Sequence, residues 1–388
     1  MLFRSNYLEK SNNILWDSIY YIGTPEELIE FAKITRQGIY DCSACLTADI
    51  DLTGYNGQFQ PIGSKNIPFM GSFDGQNHRI TGFDMTATAG MAGFFGKVMN
   101  ADIRNFRIEG HLVCAGASNG AIAYAEGSTI TNVHSSLIID VPRSGVSHTA
   151  GVLGECQNGC SVSRCSYSGT LTVDGDNYDC FGGVCGYTNI AIFENCANYG
   201  TIRFSRQDCY AGGVIGYINN KSCQGPHNCL NVGQVIYTGQ GSPLYGGAIV
   251  GLLRNFNADL FGENYWQTGS APIDCGQHST LQMHRATKKQ MTSGEVCFKL
   301  NGEKSSPWYQ TLGEDEWPVL DDSHQAVIKV NDTYVNSGVG PSNIEMSTTD
   351  SSRQPTAIYS LTGLRVTRLR PGGIYIVNGK KKMIKGCP

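Results

Sequence analysis

The sequence predicts an all-β protein: a right-handed parallel β-helix with coils of about 30 residues, a short capping helix before it and a small antiparallel β-sandwich after it. Three observations carry this expectation. Gly makes up 48 of 388 residues and charged residues only 16%, a composition that favours short strands and tight turns. A box ending in Gly returns at a nearly fixed interval. Each box is followed by short runs of period-two alternation.

The box ends fall at Gly96, Ala123, Gly154, Gly186, Gly216 and Gly251, giving steps of 27, 31, 32, 30 and 35 residues. After each box comes a polar stretch, then an apolar residue that is often Cys: Phe106, Val133, Cys165, Cys196 and Cys229. In several units a Gly then opens an alternating run, as in "GTLTV" (169–173), "GTIRF" (200–204) and "GQVIY" (233–237). Each unit thus holds about three strand signals. One unit cannot bury its own apolar face, but stacked units can, with each strand pairing to its counterpart at about 4.8 Å. Handedness follows from the general preference of parallel crossover connections. The recurring Gly marks bends where a side chain would clash or would demand positive φ. Asn195, Asn198 and Asn231 suit bends for a related reason, since Asn tolerates the left-handed region.

The flanks are read in chain order. In "GTPEELIEFAKI" (23–34), Thr24 is a fitting N-cap, Pro25 suits the first helical position and Glu27 completes a capping box. Leu28, Phe31 and Ala32 share one face, so a short amphipathic helix is expected to cap the coil. Strands are expected in "LTADIDL" (46–52) and "FDGQNHRITGF" (73–83). Beyond Trp266 the box disappears. The expected division is residues 1–45 as N-terminal arm and capping helix, 46–267 as β-helix, 268–325 as its C-terminal cap and 326–388 as the sandwich module. Residues 337–355 read as a linker or loose loop. Asn378-Gly379 between alternating runs signals a hairpin, and Thr362-Gly363 and Pro371-Gly372-Gly373 mark further turns.

Composition also bounds function. A net charge of -4 gives no electrostatic reason to expect nucleic acid. The longest apolar run, "GGAIVGLL" (246–253), is far short of the roughly 20 residues of a bilayer-spanning helix. The N-terminus shows no charged start followed by an apolar stretch of the secretory kind. Fifteen Cys is an odd number, so at least one thiol lies outside any intrachain disulfide. Cys165, Cys196 and Cys229 recur about once per coil and should stack inward. Directly stacked neighbours aim their Cβ atoms side by side, so free thiols are expected.

The boxes resemble the GLUG repeat family of surface proteins from gut Bacteroidetes. The stretch "PEELIEFAKI…LTADIDL…PIGSKNIPFMGSFDGQNHRITGF" is similar to the N-terminal pattern of those proteins. The later stretch "SGEVCFKLNGEKSSPWYQTLGEDEWPVL" is similar to their ending. The tail "IYSLTGLRV…LRPGGIYIVNGKKKMIK" resembles C-terminal β-sandwich modules of exported Bacteroidetes proteins, some of which act in sorting. The resemblance implies a β-helix at the cell surface or secreted, acting as an adhesin. It carries over no catalytic residue.

Each candidate site has a plainer reading beside it. Gly116-Ala117-Ser118-Asn119-Gly120 matches G-x-S-x-G but sits in a loop running into a β box, whereas a nucleophile elbow needs a strand and a helix. Cys42-x-x-Cys45 has no second pair to complete a zinc site. Asp174, Asp176 and Asp179 offer oxygens, yet "DGDNYD" lacks the length and terminal Glu of a calcium loop. The run Glu314-Asp315-Glu316 reads as a solvated turn. Tyr124, Tyr187 and Tyr217 each follow the last residue of a box. If outward, they form an aromatic column suited to sugar rings or to a protein interface; if inward, they are core. The expected function is therefore a non-enzymatic ligand-binding scaffold or adhesin for an extracellular glycan or surface protein, monomeric, with no cofactor and no metal. The alternative is a polysaccharide-active lyase or hydrolase on the same frame, which needs carboxylate and basic groups converging in a lateral groove.

Overall fold

The computed structural model describes residues 19–142, 147–174, 179–273, 283–302 and 306–337, with the backbone of strands at 358–360, 374–377 and 380–383. Each repeat forms one rung of a parallel β-helix. In one rung, Leu153–Gln157 lies on what we call the tyrosine face. Cys160–Ser163, Ser166–Tyr167 and Thr170–Val173 follow along a bent long face. Cys180–Gly182 forms a short face and leads to Cys185–Thr188, one rung on. The register repeats: Leu153 pairs with Cys185, Ser166 with Ala197, Thr170 with Thr201 and His148 with Cys180, all parallel. The tyrosine and short faces hold six strands each, and the long face is one 18-stranded sheet. This is the β-helix that the thirty-residue spacing predicts, with about six turns.

The bends have a common cause. Asn105, Asn132, Arg164, Asn195 and Asn228 all have φ between 51° and 58°. Each immediately precedes an inward residue of the predicted apolar column. Asn reaches this region at low cost because its short polar side chain can bond locally; Arg164 is the one member of the column without that advantage. Asn195 therefore sits where the sequence predicts. Asn198 and Asn231 do not. They are fully buried inside the coil, where Asn198 Nδ2 donates to Asn231 Oδ1 at 2.8 Å and Asn231 Nδ2 donates to Ser270 Oγ at 3.2 Å. Stacked amides can satisfy one another along a ladder, so a buried polar column survives there.

The box glycines are required by close approach and not by positive φ. A Cβ on Gly186 would lie 2.6 Å from Gly154 O and 2.7 Å from Thr149 N. A Cβ on Gly183 would meet Asn198 Cγ at 2.7 Å. At Gly186 the tyrosine and short faces meet backbone to backbone, and at Gly183 the chain passes against the buried Asn198 side chain of the long face.

The cysteines fill the inner bends. Cys165, Cys196 and Cys229 are fully buried. Their thiols donate to Ser163 O, Glu194 O and His227 O at 3.3, 3.3 and 3.4 Å, each two residues back across the bend. One rung further, Asn264 takes over this role and donates to Gly262 O and Pro226 O. A thiol is small enough for the bend and still bonds the carbonyl turned inward there. Cys42, Cys45 and the other described cysteines are all free.

The helix Pro25–Arg36 (α1) closes the N-terminal opening. Thr24 Oγ1 accepts from Glu27 N, as expected, while the Glu27 carboxylate reaches back to Gly23 N at 2.8 Å. Leu28, Phe31 and Ala32 are buried. The Phe31 ring lies 5.5–6.4 Å from Tyr20, Phe69 and Phe73.

The C-terminal end departs from expectation. Helices Lys288–Thr292 (α2) and Glu295–Leu300 (α3) belong to a flank that lies along the outside of the long face. Met291, Val296, Leu300, Trp308 and Val327 pack on Ala197, Leu230 and Tyr265, which stack in three successive rungs. The outward column is apolar there and needs a cover, so the segment expected as an end cap is used as a side wall. The hairpin Val327–Val330/Thr333–Asn336 belongs to this flank too: Val327 is fully buried in its cluster, and Asn336 bonds Leu312 N and Gln310 O. The first compact unit thus runs to Val339, and the second covers Gly340–Pro388, so the boundary falls later than residue 326. In the second unit, Ile358–Ser360, Ile374–Val377 and Lys380–Met383 form a small antiparallel sheet. Val377 pairs with Lys380 across Asn378-Gly379. That turn, the other two predicted turns and most of the 337–355 linker lie outside the described residues.

Candidate functional site

Two surfaces of the coil gather chemistry-bearing side chains. The first is the tyrosine face. Register places Lys97, Tyr124, Glu155, Tyr187, Tyr217 and Leu252 in one column across six rungs. Tyr124 and Tyr187 are half-buried and outward, while Tyr217 is 8% exposed. The three candidate tyrosines therefore share a column, but Glu155 separates Tyr124 from the other two.

Tyr124 belongs to a local ionic group. Lys97 Nζ lies 4.9 Å from its ring centroid and pairs with Glu126 at 3.0 Å. Burial pushes the Tyr124 hydroxyl up to about 12, with the Glu155 and Glu126 charges adding to it. Tyr187 and Tyr217 join an aromatic patch that the box pattern alone does not reveal. Its other members come from the short face: His148 stacks on Tyr187 at 4.5 Å, Tyr210 lies 5.0 Å from Tyr217, and Tyr245 lies 4.9 Å from Tyr210. His148, Tyr210 and Tyr245 each stand six residues before a box-ending Gly. That shared repeat position is the signal the sequence holds for them. Asn219 ties the patch together, accepting from Tyr217 Oη at 2.8 Å and donating to Tyr187 Oη at 3.2 Å.

Glu155 is the hub of the adjoining polar group. Its Oε2 accepts from Ser118 Oγ and meets His148 Nδ1, both at 2.9 Å, and its Oε1 accepts from Gln157 Nε2 at 2.9 Å. Burial pushes the Glu155 carboxyl up, but the bonds and charge of His148, with Gln157 and Ser118, outweigh this and hold it below its ordinary value. Ser118 is the serine of the G-x-S-x-G match. It is 2% exposed, lies in the short-face strand Ser118–Asn119 and donates a hydrogen bond to the same oxygen that holds His148. A nucleophile elbow needs an exposed turn between a strand and a helix; this serine is buried within a strand.

The second surface is a groove on the long face, a cleft of about 150 Å³. Arg79, Arg107, His134 and Ser166 stack in register along one wall. Glu109, Ser136 and Ser168 stand along the other, each one residue after the floor residues Ile108, Ser135 and Tyr167. Arg107 is held by Asp321 of the flank at 2.9 Å. His134 Nδ1 meets Ser166 Oγ at 2.7 Å and Nε2 meets Asn132 Oδ1 at 2.9 Å. Burial lowers the His134 pKa to about 4, Arg107 and Arg164 add to this, and Asp321 opposes it. Further along, Tyr199 and Val232 continue the second wall under the flank, where Tyr199 Oη donates to Pro318 O at 2.9 Å.

The remaining candidates are dispersed. Among the described residues, no group of three or more His, Cys, Asp and Glu side chains is placed to hold a metal. Asp174 is exposed and accepts from Ser205, Asp179 is fully buried and accepts from Ser147 N, and Asp176 lies outside the described residues. Burial pushes the Cys42 thiol up to about 11, the opposite of what a reactive or metal-binding thiol needs. Glu314 and Glu316 are exposed in a flank turn, with Glu316 paired to Lys288.

No family model matches the chain, and no curated protein does. The chain is similar to a solved structure from Bacteroides ovatus, described as a putative immunoglobulin A1 protease. The identity is 19%, the TM-score 0.51, and the match covers 78% of this chain and 92% of that one. At that identity the likeness speaks to the fold alone.

Proposed function

We propose that the chain is a non-enzymatic ligand-binding scaffold of the adhesin kind, displayed at a cell surface or secreted, that recognises a glycan. The observation that supports this reading is the patch of His148, Tyr187, Tyr210, Tyr217 and Tyr245 on the sides of the coil. Aromatic rings with polar rims, held on rigid rungs, give a sugar ring an apolar platform with hydrogen-bond partners beside it. Tyr210 and Tyr245 keep exposed surface for this purpose. The resemblance to GLUG-type surface proteins points the same way. The test is a glycan array with the purified chain and with a Tyr210→Ala/Tyr245→Ala double variant. Binding to defined glycans that the double variant loses supports the reading; binding unchanged in the double variant, or binding only to protein ligands, overturns it.

A second reading, a polysaccharide lyase or hydrolase, draws on the groove, where Arg79, Arg107, Glu109, His134 and Asp321 converge. The geometry favours binding over turnover. Arg107 and Asp321 neutralise each other and both His134 nitrogens are engaged, so Glu109 is left without a second free carboxylate beside it and no acid–base pair is assembled. A depolymerisation screen decides between the readings, since release of fragments from any polymer replaces the adhesin with the enzyme.

A further inference from the structure

The charge arrangement in the groove is specific enough to name a ligand class. Among the described residues, the Arg79 side chain makes no hydrogen bond or ion pair, and neither does Glu109. Arg107 is already paired with Asp321, and His134, with both nitrogens engaged and its pKa near 4, is neutral at pH 7. The cleft therefore offers one exposed guanidinium with no hydrogen-bonded partner, its charge felt by Asp49, and one exposed carboxylate with no partner. Ser136 and Ser168 stand in the same wall as Glu109. A polyanion such as a nucleic acid or a polyphosphate would meet Glu109 with repulsion and find a single guanidinium to answer it. A neutral sugar would leave the Arg79 guanidinium without a hydrogen-bonded anion, with only the Asp49 charge near it. A ring that carries one carboxylate and several hydroxyls suits these groups: the carboxylate takes the planar fork of Arg79, Glu109 accepts from ring hydroxyls, Ser136, whose hydroxyl donates to Ile108 O at 3.4 Å, accepts, and Ser168 gives or accepts.

We propose that this groove is a binding site for an acidic sugar unit, with its carboxylate on Arg79 and its hydroxyls on Glu109, Ser136 and Ser168. The size of the cleft, about 150 Å³, lies below the roughly 300–1,000 Å³ of pockets for drug-sized ligands and fits one ring. The flank, through Asp321 on Arg107 and Pro318 on Tyr199, covers the groove towards the C-terminal rungs, so the unit held here is the end of a chain or a short branch. The site lies on the long face and does not rest on the aromatic patch.

The experiment is calorimetric titration of the full chain at pH 7 with short galacturonate and glucuronate oligosaccharides. Neutral galactose and glucose oligomers of equal length and a simple dicarboxylate serve as the other arms. The expected result is saturable binding of an acidic oligosaccharide, at least tenfold tighter than its neutral counterpart and than the dicarboxylate. Arg79→Gln should weaken it at least tenfold, with an unchanged circular dichroism spectrum, because the side chain supports nothing structural. Glu109→Gln should weaken it several-fold by replacing half of its acceptors with donors. Equal binding of the neutral sugar, equal binding of the dicarboxylate, no binding at all, or an undiminished affinity in Arg79→Gln each overturns the proposal. Loss of acidic-sugar binding in the Tyr210→Ala/Tyr245→Ala variant alone would overturn it too, by moving the ligand to the other face.

Discussion

Replacing His134 by Gln should flatten the response of stability to acid between pH 7 and pH 5. In the folded chain its pKa is lowered from 6.5 to about 4, with burial as the leading cause. Between those values the unfolded chain holds a proton that the folded chain refuses, so stability falls as the pH falls. The contribution is fully present above about 6.5 and is lost as the pH drops towards 4. A difference of that size corresponds to about 3 kcal/mol in total, of which about 2 kcal/mol is lost by pH 5. The Gln variant keeps a polar side chain beside Ser166 and Asn132 but cannot titrate. Its stability at pH 7 should be modestly lower, and its loss on going to pH 5 should be about 2 kcal/mol smaller than that of the wild type. The other histidines and the carboxylates are common to both proteins and cancel in the comparison. Urea unfolding followed by far-ultraviolet circular dichroism at pH 7, 6 and 5 measures this directly. Parallel curves for the two proteins would refute a half-buried histidine held neutral in the groove wall.

Three further outcomes follow from the packing. Trp308→Ala removes a fully buried ring and its 3.1 Å bond to Asn195; it should cost about 3–5 kcal/mol and make the flank, not the coil, the first target of limited proteolysis. An unchanged cleavage pattern and stability would contradict lateral docking. Gly186→Ala places a methyl 2.6 Å from Gly154 O and 2.7 Å from Thr149 N. Backbone cannot move aside as a side chain can, so a loss of about 1–3 kcal/mol or more is expected in chemical denaturation, and a variant as stable as the wild type would rule out the close approach. The twelve buried cysteines should resist a thiol reagent in the native protein, and unfolding without reductant should release at least thirteen reactive thiols; a count of one or two would mean that the inward columns are oxidised.

The repeat length, the inward Cys and Phe positions and the capping of α1 are all legible in the amino-acid sequence. They are local. Period-two alternation, Gly and Asn at bends, and Thr24 with Pro25 and Glu27 act over a few residues or recur at one interval. The same locality explains the errors. Asn198 and Asn195 are three residues apart and chemically identical, yet Asn195 turns outward at a bend and Asn198 joins a buried amide ladder. Only stacking against Asn231 separates them. The aromatic patch draws His148, Tyr210 and Tyr245 from one face and Tyr187 and Tyr217 from another, and the groove sets Arg79 beside Arg107 and His134 from successive rungs.

The sequence alone thus determined that the chain coils, how long each turn is and which apolar and Cys positions line its interior, because a repeating strand pattern buries its apolar side only when its copies stack. The tertiary structure alone decided what the outside presents. Ala197, Leu230 and Tyr265 form an apolar stripe only once three rungs are stacked, and only then can residues 288–302 and 306–336 find it and wall off part of the long face. What stays open is the groove around Arg79, a consequence of contacts between residues up to 214 positions apart.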